Sequence, residues 1–146
     1  DVLASCKKAI NLVNASLENS LIVLNVEVKE NRFINGYPTE FAQVILNLIS
    51  NAKDILLERK VGKPKITLSI ESLGSLCIIK IKDNAGGLDE KNYDLIFDPY
   101  FSTKESSKGT GLGLYISKLI IEKNMGGELS VKNDEEGAVF KIVLLG

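Results

Sequence analysis

The 146-residue sequence has no histidine and no tryptophan, and only two cysteines, three prolines and one methionine. Without histidine there is no Ser-His-Asp or Cys-His catalytic pair and no histidine-based metal site. A protein-kinase catalytic loop of the kind that begins with histidine is excluded as well. Cys6 and Cys77 are far apart and form no CxxC pair, which argues against a structural zinc or dithiol site. Cys77 lies in an apolar run and reads as a small core residue, in keeping with a reducing cytosol. A basic excess is also lacking: 18 Lys and Arg against 19 Asp and Glu give a net charge of −1. That argues against duplex DNA as a partner, since DNA binders set many cations against phosphates. No apolar run approaches the roughly 20 residues needed to cross a bilayer, and no signal-peptide pattern opens the sequence.

What is present suits one compact domain, with 45% hydrophobic and 25% charged residues. Leu3, Cys6, Ile10, Val13 and Leu17 recur at helical spacing and predict an amphipathic helix over 2–18. Residues 21–28 read as a strand and Arg32–Asn35 as a short partner strand. Pro38 opens a second helix, where its missing N–H costs nothing, and that helix runs to about Arg59. Lys65–Glu71 and Leu76–Ile81 form a hairpin through Leu73-Gly74-Ser75. After a long loop over 84–109, a third helix spans Leu112–Lys123, and strands Glu128–Lys132 and Ala138–Leu145 close the chain. The expected class is α+β. It is a two-layer sandwich in which a mixed, mostly antiparallel sheet is covered on one face by three helices.

Three local patterns carry chemistry. On the second helix, Asn47, Asn51 and Asp54 fall within about 60° of one another at about 100° per residue, beside an apolar arc that includes Val44, Ile45, Leu48 and Ala52. Asparagine is a mediocre helix former. A carboxamide oxygen can ligate Mg²⁺, which takes few ligands from protein; a plain solvated stripe is the competing reading. Asp83-Asn84-Ala85-Gly86-Gly87 comes off the end of a strand. It reads either as a simple turn or as an aspartate accepting from an exocyclic amine such as that of adenine, beside glycines that permit close approach. Gly109-Thr110-Gly111-Leu112-Gly113-Leu114 opens the third helix, either as a hinge or as a cradle of N–H groups for phosphate, with Lys104 as an added cation. A Walker A loop is absent, and Ile116 stands where a Rossmann loop has its third glycine.

These segments in this order resemble the catalytic and ATP-binding domain of bacterial sensor histidine kinases, in the GHKL (Bergerat-fold) superfamily. Gln43–Asp54 resembles the N box, Asp83–Gly87 the first glycine box, Phe97-Asp98-Pro99-Tyr100-Phe101 the F box and Gly109–Leu114 the second glycine box. Gly137-Ala138-Val139-Phe140 and the residues to Leu145 resemble the closing strand. The resemblance covers about residues 1–145 and implies ATP and Mg²⁺ as cofactors. It assigns the metal to Asn51, with Asn47 supporting metal and phosphate, Asp54 framing the pocket and Asp83 on the adenine amine. Ala85 and Gly87 would lie against the base. Residues 88–109 would form a mobile lid, with Lys104 near the terminal phosphates. Gly109, Thr110, Gly111, Leu112, Gly113 and Leu114 would line the phosphate path. Ala85 replaces a commoner glycine, tolerable if its φ is negative, and Ala138 replaces a commoner threonine.

The superfamily's ATPases carry a glutamate one turn before the metal asparagine, where this chain has Asn47. A carboxamide takes no proton at neutral pH, so slow hydrolysis and transfer to an external acceptor are expected. Asn47 and Lys104 are the expected catalytic residues. The acceptor would be a histidine on a separate, dimeric phosphoacceptor domain of the same parent protein, with a response regulator downstream. The piece itself is expected to be a cytoplasmic monomer, unable to phosphorylate itself and without nucleic-acid partners. A serine-directed GHKL kinase and a nucleotide-binding module without activity are the alternatives.

Overall fold

The computed structural model describes residues 1–101 and 112–146. The elements run α1 (Val2–Asn19), β1 (Val23–Val28), α2 (Pro38–Glu58), β2 (Lys65–Leu73), β3 (Leu76–Asp83), α3 (Gly113–Leu119), β4 (Glu128–Asn133) and β5 (Ala138–Leu145). Two 3₁₀ turns, Glu90–Asn92 and Leu95–Phe97, follow β3, and a π turn, Ile120–Asn124, extends α3. The five strands form one sheet in the order β1-β2-β3-β5-β4. Only β1 and β2 pair in parallel, and α2 provides the crossover that a parallel pair requires. The expected mixed, mostly antiparallel sheet with helices is what the chain forms.

Alternation decides which face of the sheet is covered. Ile66, Leu68 and Ile70 of β2 are buried, as are Cys77, Ile79 and Ile81 of β3 and Phe140, Ile142 and Leu144 of β5, while their neighbours are at least partly exposed. Register aligns them across the sheet: Leu68 opposite Ile81, Ile81 opposite Phe140, Ile70 opposite Ile79, and Ile79 opposite Ile142. The helices lie on this face. Helix α2 buries Val44, Ile45, Leu48, Ile49, Ala52 and Leu56, and α1 buries Val2, Cys6, Ala9, Val13 and Leu17. The period-2 stripe of the sheet and the 3.6-residue stripe of the helices close one core between them. Cys6 and Cys77 are both free and buried in it. Burial pushes the Cys6 thiol up to about 12, with Cys77 adding to the rise, so neither thiol is poised to react.

Three elements differ from expectation. Arg32–Asn35 is not a strand. Its neighbourhood caps α1 instead: the Val2 N–H donates to the Arg32 carbonyl, and the Leu3 N–H donates to Asn31 Oδ1. Arg32 spends its side chain on the β2–β3 hairpin, donating to Ser72 Oγ and the Gly74 carbonyl, each at 2.7 Å. Strand β1 starts at Val23 rather than residue 21, because Leu21 adopts φ 58 in a turn after α1. It is an edge strand, with Val23, Val26 and Val28 exposed by 56%, 42% and 41%. The third helix is α-helical only to Leu119 and then widens into the π turn, from whose end the Met125 N–H donates back to Ile120. Among the described residues no helix is long and apolar enough to cross a membrane.

Leu48 is fully buried at the centre of the α2 face. Leu48→Ala is expected to cost about 2–5 kcal/mol in urea denaturation. A loss under about 1 kcal/mol would mean that α2 does not rest on the sheet as described.

Candidate functional site

The sheet alternation that buries Cys77, Ile79 and Ile81 continues to Asp83, so its carboxylate enters the covered face at the strand's end and is only 3% exposed. Asp83 Oδ1 accepts from the Ala85 N–H at 3.0 Å and from the Ala138 N–H at 3.3 Å. One donor comes from the loop after β3 and the other from the first residue of β5. Burial raises the carboxyl pKa above its ordinary value. The two N–H donors and the Arg59 guanidinium counter that rise, and Asp134 adds to it. Among the described residues no hydrogen bond engages Asp83 Oδ2, which leaves an acceptor for something else.

The loop itself is held from several sides. Ala85 is buried and is not among the residues with positive φ, so the alanine is tolerated as expected. Gly86 and Gly87 take φ of +96 and +88, conformations that only glycine adopts without strain. The Gly86 N–H donates to the Glu136 carbonyl at 2.9 Å. Asn84 ties the loop to the start of β2, accepting from the Lys65 N–H and donating to the Lys63 carbonyl. A Cβ at Gly87 would sit 2.7 Å from the Asn133 side chain, so the close approach that this glycine permits within the chain is that of Asn133. Asn133 pairs with the backbone N–H and C=O of Leu88, and its own N–H donates to Tyr93 Oη at 2.9 Å.

On α2, Asn47 faces α3. Its Nδ2 donates to Ser117 Oγ at 3.2 Å and approaches the Gly113 carbonyl at 3.5 Å, while its Oδ1 accepts from Gln43. Asn51 and Asp54 follow on the same stripe, both half-buried. Among the described residues the Asn51 carboxamide makes no hydrogen bond. Leu112 caps α3 and Leu114 packs against the core. Among the described residues a Cβ at Gly113 would meet nothing within 4 Å. Phe97 of the expected F box is buried edge-on to Phe140, with centroids 6.3 Å apart and the Lys118 ammonium 4.6 Å above its ring. Lys104, Gly109, Thr110 and Gly111 lie outside the described residues.

The structure therefore brings Asn47 against the start of α3 and sets Asp83, Ala85 and Gly87 at the end of β3. Three contributors went unread in the sequence. Arg59 donates from the end of α2 to the carbonyls of Ala85 and Gly87. Gly137 touches Asp83 so closely that a Cβ there would sit 2.4 Å from its carbonyl oxygen and 2.5 Å from Oδ1. Asn133 holds Leu88. In the sequence the first reads as an ordinary helix end, Gly137 as the start of the closing-strand segment and Asn133 as a residue between two strands; only tertiary contact distinguishes them.

Residues 36–145 match the family described as histidine kinase-, DNA gyrase B-, and HSP90-like ATPase. The chain belongs to this family. The chain is 33% identical to the two-component sensor PprA of Pseudomonas aeruginosa over 99% of its own length, and it spans 16% of that sensor. In three dimensions it is similar to the nucleotide-free catalytic domain of histidine kinase ThkA, with a TM-score of 0.85 at 26% identity, covering 99% of this chain and 94% of that one. The same fold recurs, at 23% identity and a TM-score of 0.82, in ThkA solved in complex with the response regulator TrrA; 40% of that chain is covered. The fold is thus that of a histidine kinase catalytic domain.

The raised Asp83 pKa has a signed consequence. The folded domain holds this proton more readily than the unfolded chain, so the group's contribution is greatest at low pH and is lost as pH rises through the folded value. Asp83→Asn keeps an acceptor for both N–H groups and should raise the melting temperature of the ligand-free domain at neutral pH, flattening its dependence on the acid side. An unchanged melting profile would show that the buried carboxylate carries no such penalty. Gly137→Ala, which sets a Cβ 2.4 Å from the Asp83 carbonyl oxygen, should lower the melting temperature in the same melts.

Proposed function

We propose that this domain binds ATP with Mg²⁺ between α2 and α3 and passes the γ-phosphoryl group to a histidine on a separate phosphoacceptor domain. The observation that carries the reading is the contact of Asn47 with Ser117 and Gly113. It sets Asn47 of the carboxamide stripe against Gly113 and Ser117 of α3, which supports a single triphosphate reaching both helices.

Asp83 would receive the exocyclic amine of adenine on Oδ2, since Oδ1 already serves two backbone donors. Asn51 fits a magnesium site: its carboxamide is half-buried and makes no hydrogen bond among the described residues. Those residues hold no cluster of three or more carboxylate or thiol ligands. A hard cation that takes most of its oxygens from phosphate and water suits such a sparse donor set. When bound, Mg²⁺ supplies neutralisation of charge between the terminal phosphates. Asp54, Lys104 and residues 109–114 would complete the phosphate side, and 88–109 the lid.

Asn47 stands where the ATPase branches of the family carry a glutamate. Its amide is committed to Gln43 and Ser117, and a carboxamide has no proton-accepting chemistry at neutral pH. Water is therefore a poor nucleophile here, and the domain retains ATP for an external acceptor. By this reading the parent protein is a dimeric two-component sensor with a response regulator downstream; PprA is by name a two-component sensor, and ThkA was solved in complex with a response regulator. The catalytic domain itself works as a cytoplasmic monomer.

The test supplies purified domain, labelled ATP and a separate histidine-bearing hairpin domain. Acid-labile label on the hairpin is expected; acid-stable label would instead mark a serine acceptor, and no ATP binding in calorimetry would mark an inactive module. Asn51→Ala should cut transfer by about a hundredfold or more while the fold survives, and near-normal transfer would remove the metal assignment.

A further inference from the structure

Arg59 lies just past α2, at its C-cap, with φ −85 and ψ −1. Its backbone stays with the helix, the N–H donating to the Ile55 carbonyl at 3.0 Å. Its side chain leaves the helix for the loop after β3. Nη1 donates to the Ala85 carbonyl at 2.8 Å and also to the Gly87 carbonyl. Gly86 lies between these two acceptors, and a Cβ on it would stand 3.7 Å from the same nitrogen. Two carbonyls separated by one residue turn towards one donor here because Gly86 and Gly87 both adopt positive φ. A guanidinium suits this geometry, being always charged and offering several N–H groups in a rigid plane.

The consequence reaches Asp83. The Ala85 N–H that holds Asp83 Oδ1 and the Ala85 carbonyl held by Arg59 belong to the same residue. Fixing the Ala85 carbonyl therefore fixes the turn that aims the carboxylate. Gly137 and the Ala138 N–H close the other side of Asp83. The charged groups that act on it are Arg59, which favours its ionised form, and Asp134, which opposes it; Asp134 is itself paired with Lys82 at 2.7 Å.

We propose that Arg59 is a positioning residue for recognition of the adenine base: by clamping the carbonyls of Ala85 and Gly87 it holds the Asp83–Gly87 loop in the shape that presents Asp83 to an exocyclic amine. This rests on the nucleotide-binding reading above. It assigns to the end of α2 a role in base recognition, distinct from the phosphate and metal roles of Asn47 and Asn51. The helix that carries the metal ligand and the loop that reads the base are thereby coupled through one side chain.

The experiment is calorimetric titration of ADP into the intact domain between acid and neutral pH, for the wild type, Arg59→Met and Arg59→Lys, with melting curves of each. Arg59→Met keeps the stem and removes the donors. It should bind ADP about tenfold more weakly at neutral pH, the loss expected for a charge-assisted hydrogen bond. Because Arg59 favours ionised Asp83, its removal should also move the acid limb of binding to higher pH. Arg59→Lys should recover part of both changes. An unchanged affinity in folded Arg59→Met overturns the proposal. So does weaker binding with an unmoved acid limb and no recovery by lysine, which would make Arg59 a helix end and nothing more. If Arg59→Met does not fold, the lysine variant decides alone: wild-type affinity and an unmoved acid limb overturn the proposal, and an intermediate shift in both supports it. Asp83→Asn separates the two readings. If the wild type fails to bind ADP, or Asp83→Asn binds it equally well, the nucleotide assignment of the loop itself falls.

Discussion

Everything at the site hangs on the seating of α2 against the sheet. Val44, Ile45, Leu48, Ile49, Ala52 and Leu56 are packed onto the isoleucine and leucine stripes of β2, β3 and β5. A helix held by so many apolar contacts has little freedom to roll, since protein interiors are as densely packed as organic crystals. With its rotation settled, Asn47, Asn51 and Asp54 must point along one flank. That flank is the one α3 occupies, as the hydrogen bond from Asn47 to Ser117 records. The polar residues are positioned by apolar ones, and the core is the device that aims the carboxamides.

The second determinant is a carboxylate placed where burial disfavours its charge. Asp83 is carried inward by the pleat of β3, and its partners are backbone groups from two separate segments. Burying a charge is costly unless it is hydrogen-bonded, and here two N–H groups and a nearby guanidinium offset part of that cost. The groups around it explain the sequence about Asp83 closely. Gly137 leaves room for its carbonyl and Oδ1, and the glycines at 86 and 87 accept backbone angles that side chains resist.

Much of the fold was legible because it follows from periodicity. The alternation of Lys65–Glu71 and Leu76–Ile81, the helical spacing of 2–18 and the proline at 38 each report on local geometry, and the elements formed with boundaries close to those expected. The readings that failed were of segments whose structure is settled by distant partners. Arg32–Asn35 looked extended and apolar enough to pair, yet Asn31 and Arg32 were taken by the start of α1 and by the β2–β3 hairpin. Leu21 looked like strand, yet the turn out of α1 needed it in a left-handed conformation. The third helix widened into a π turn at Ile120, which its helical spacing did not announce.

The division between sequence and structure follows range of interaction. From order and spacing alone came the fold class, the carboxamide stripe, the aspartate-glycine loop and the glycine-rich helix start, since each is written within a few consecutive residues. Tertiary structure alone decided that Asn47 of α2 meets Ser117 of α3, and that Gly137 and Ala138 close over Asp83. It alone showed Arg59 reaching across to Ala85 and Gly87. Those partners are separated by dozens of residues, and a chain's local preferences carry no record of which distant group a packed core will bring into hydrogen-bond range.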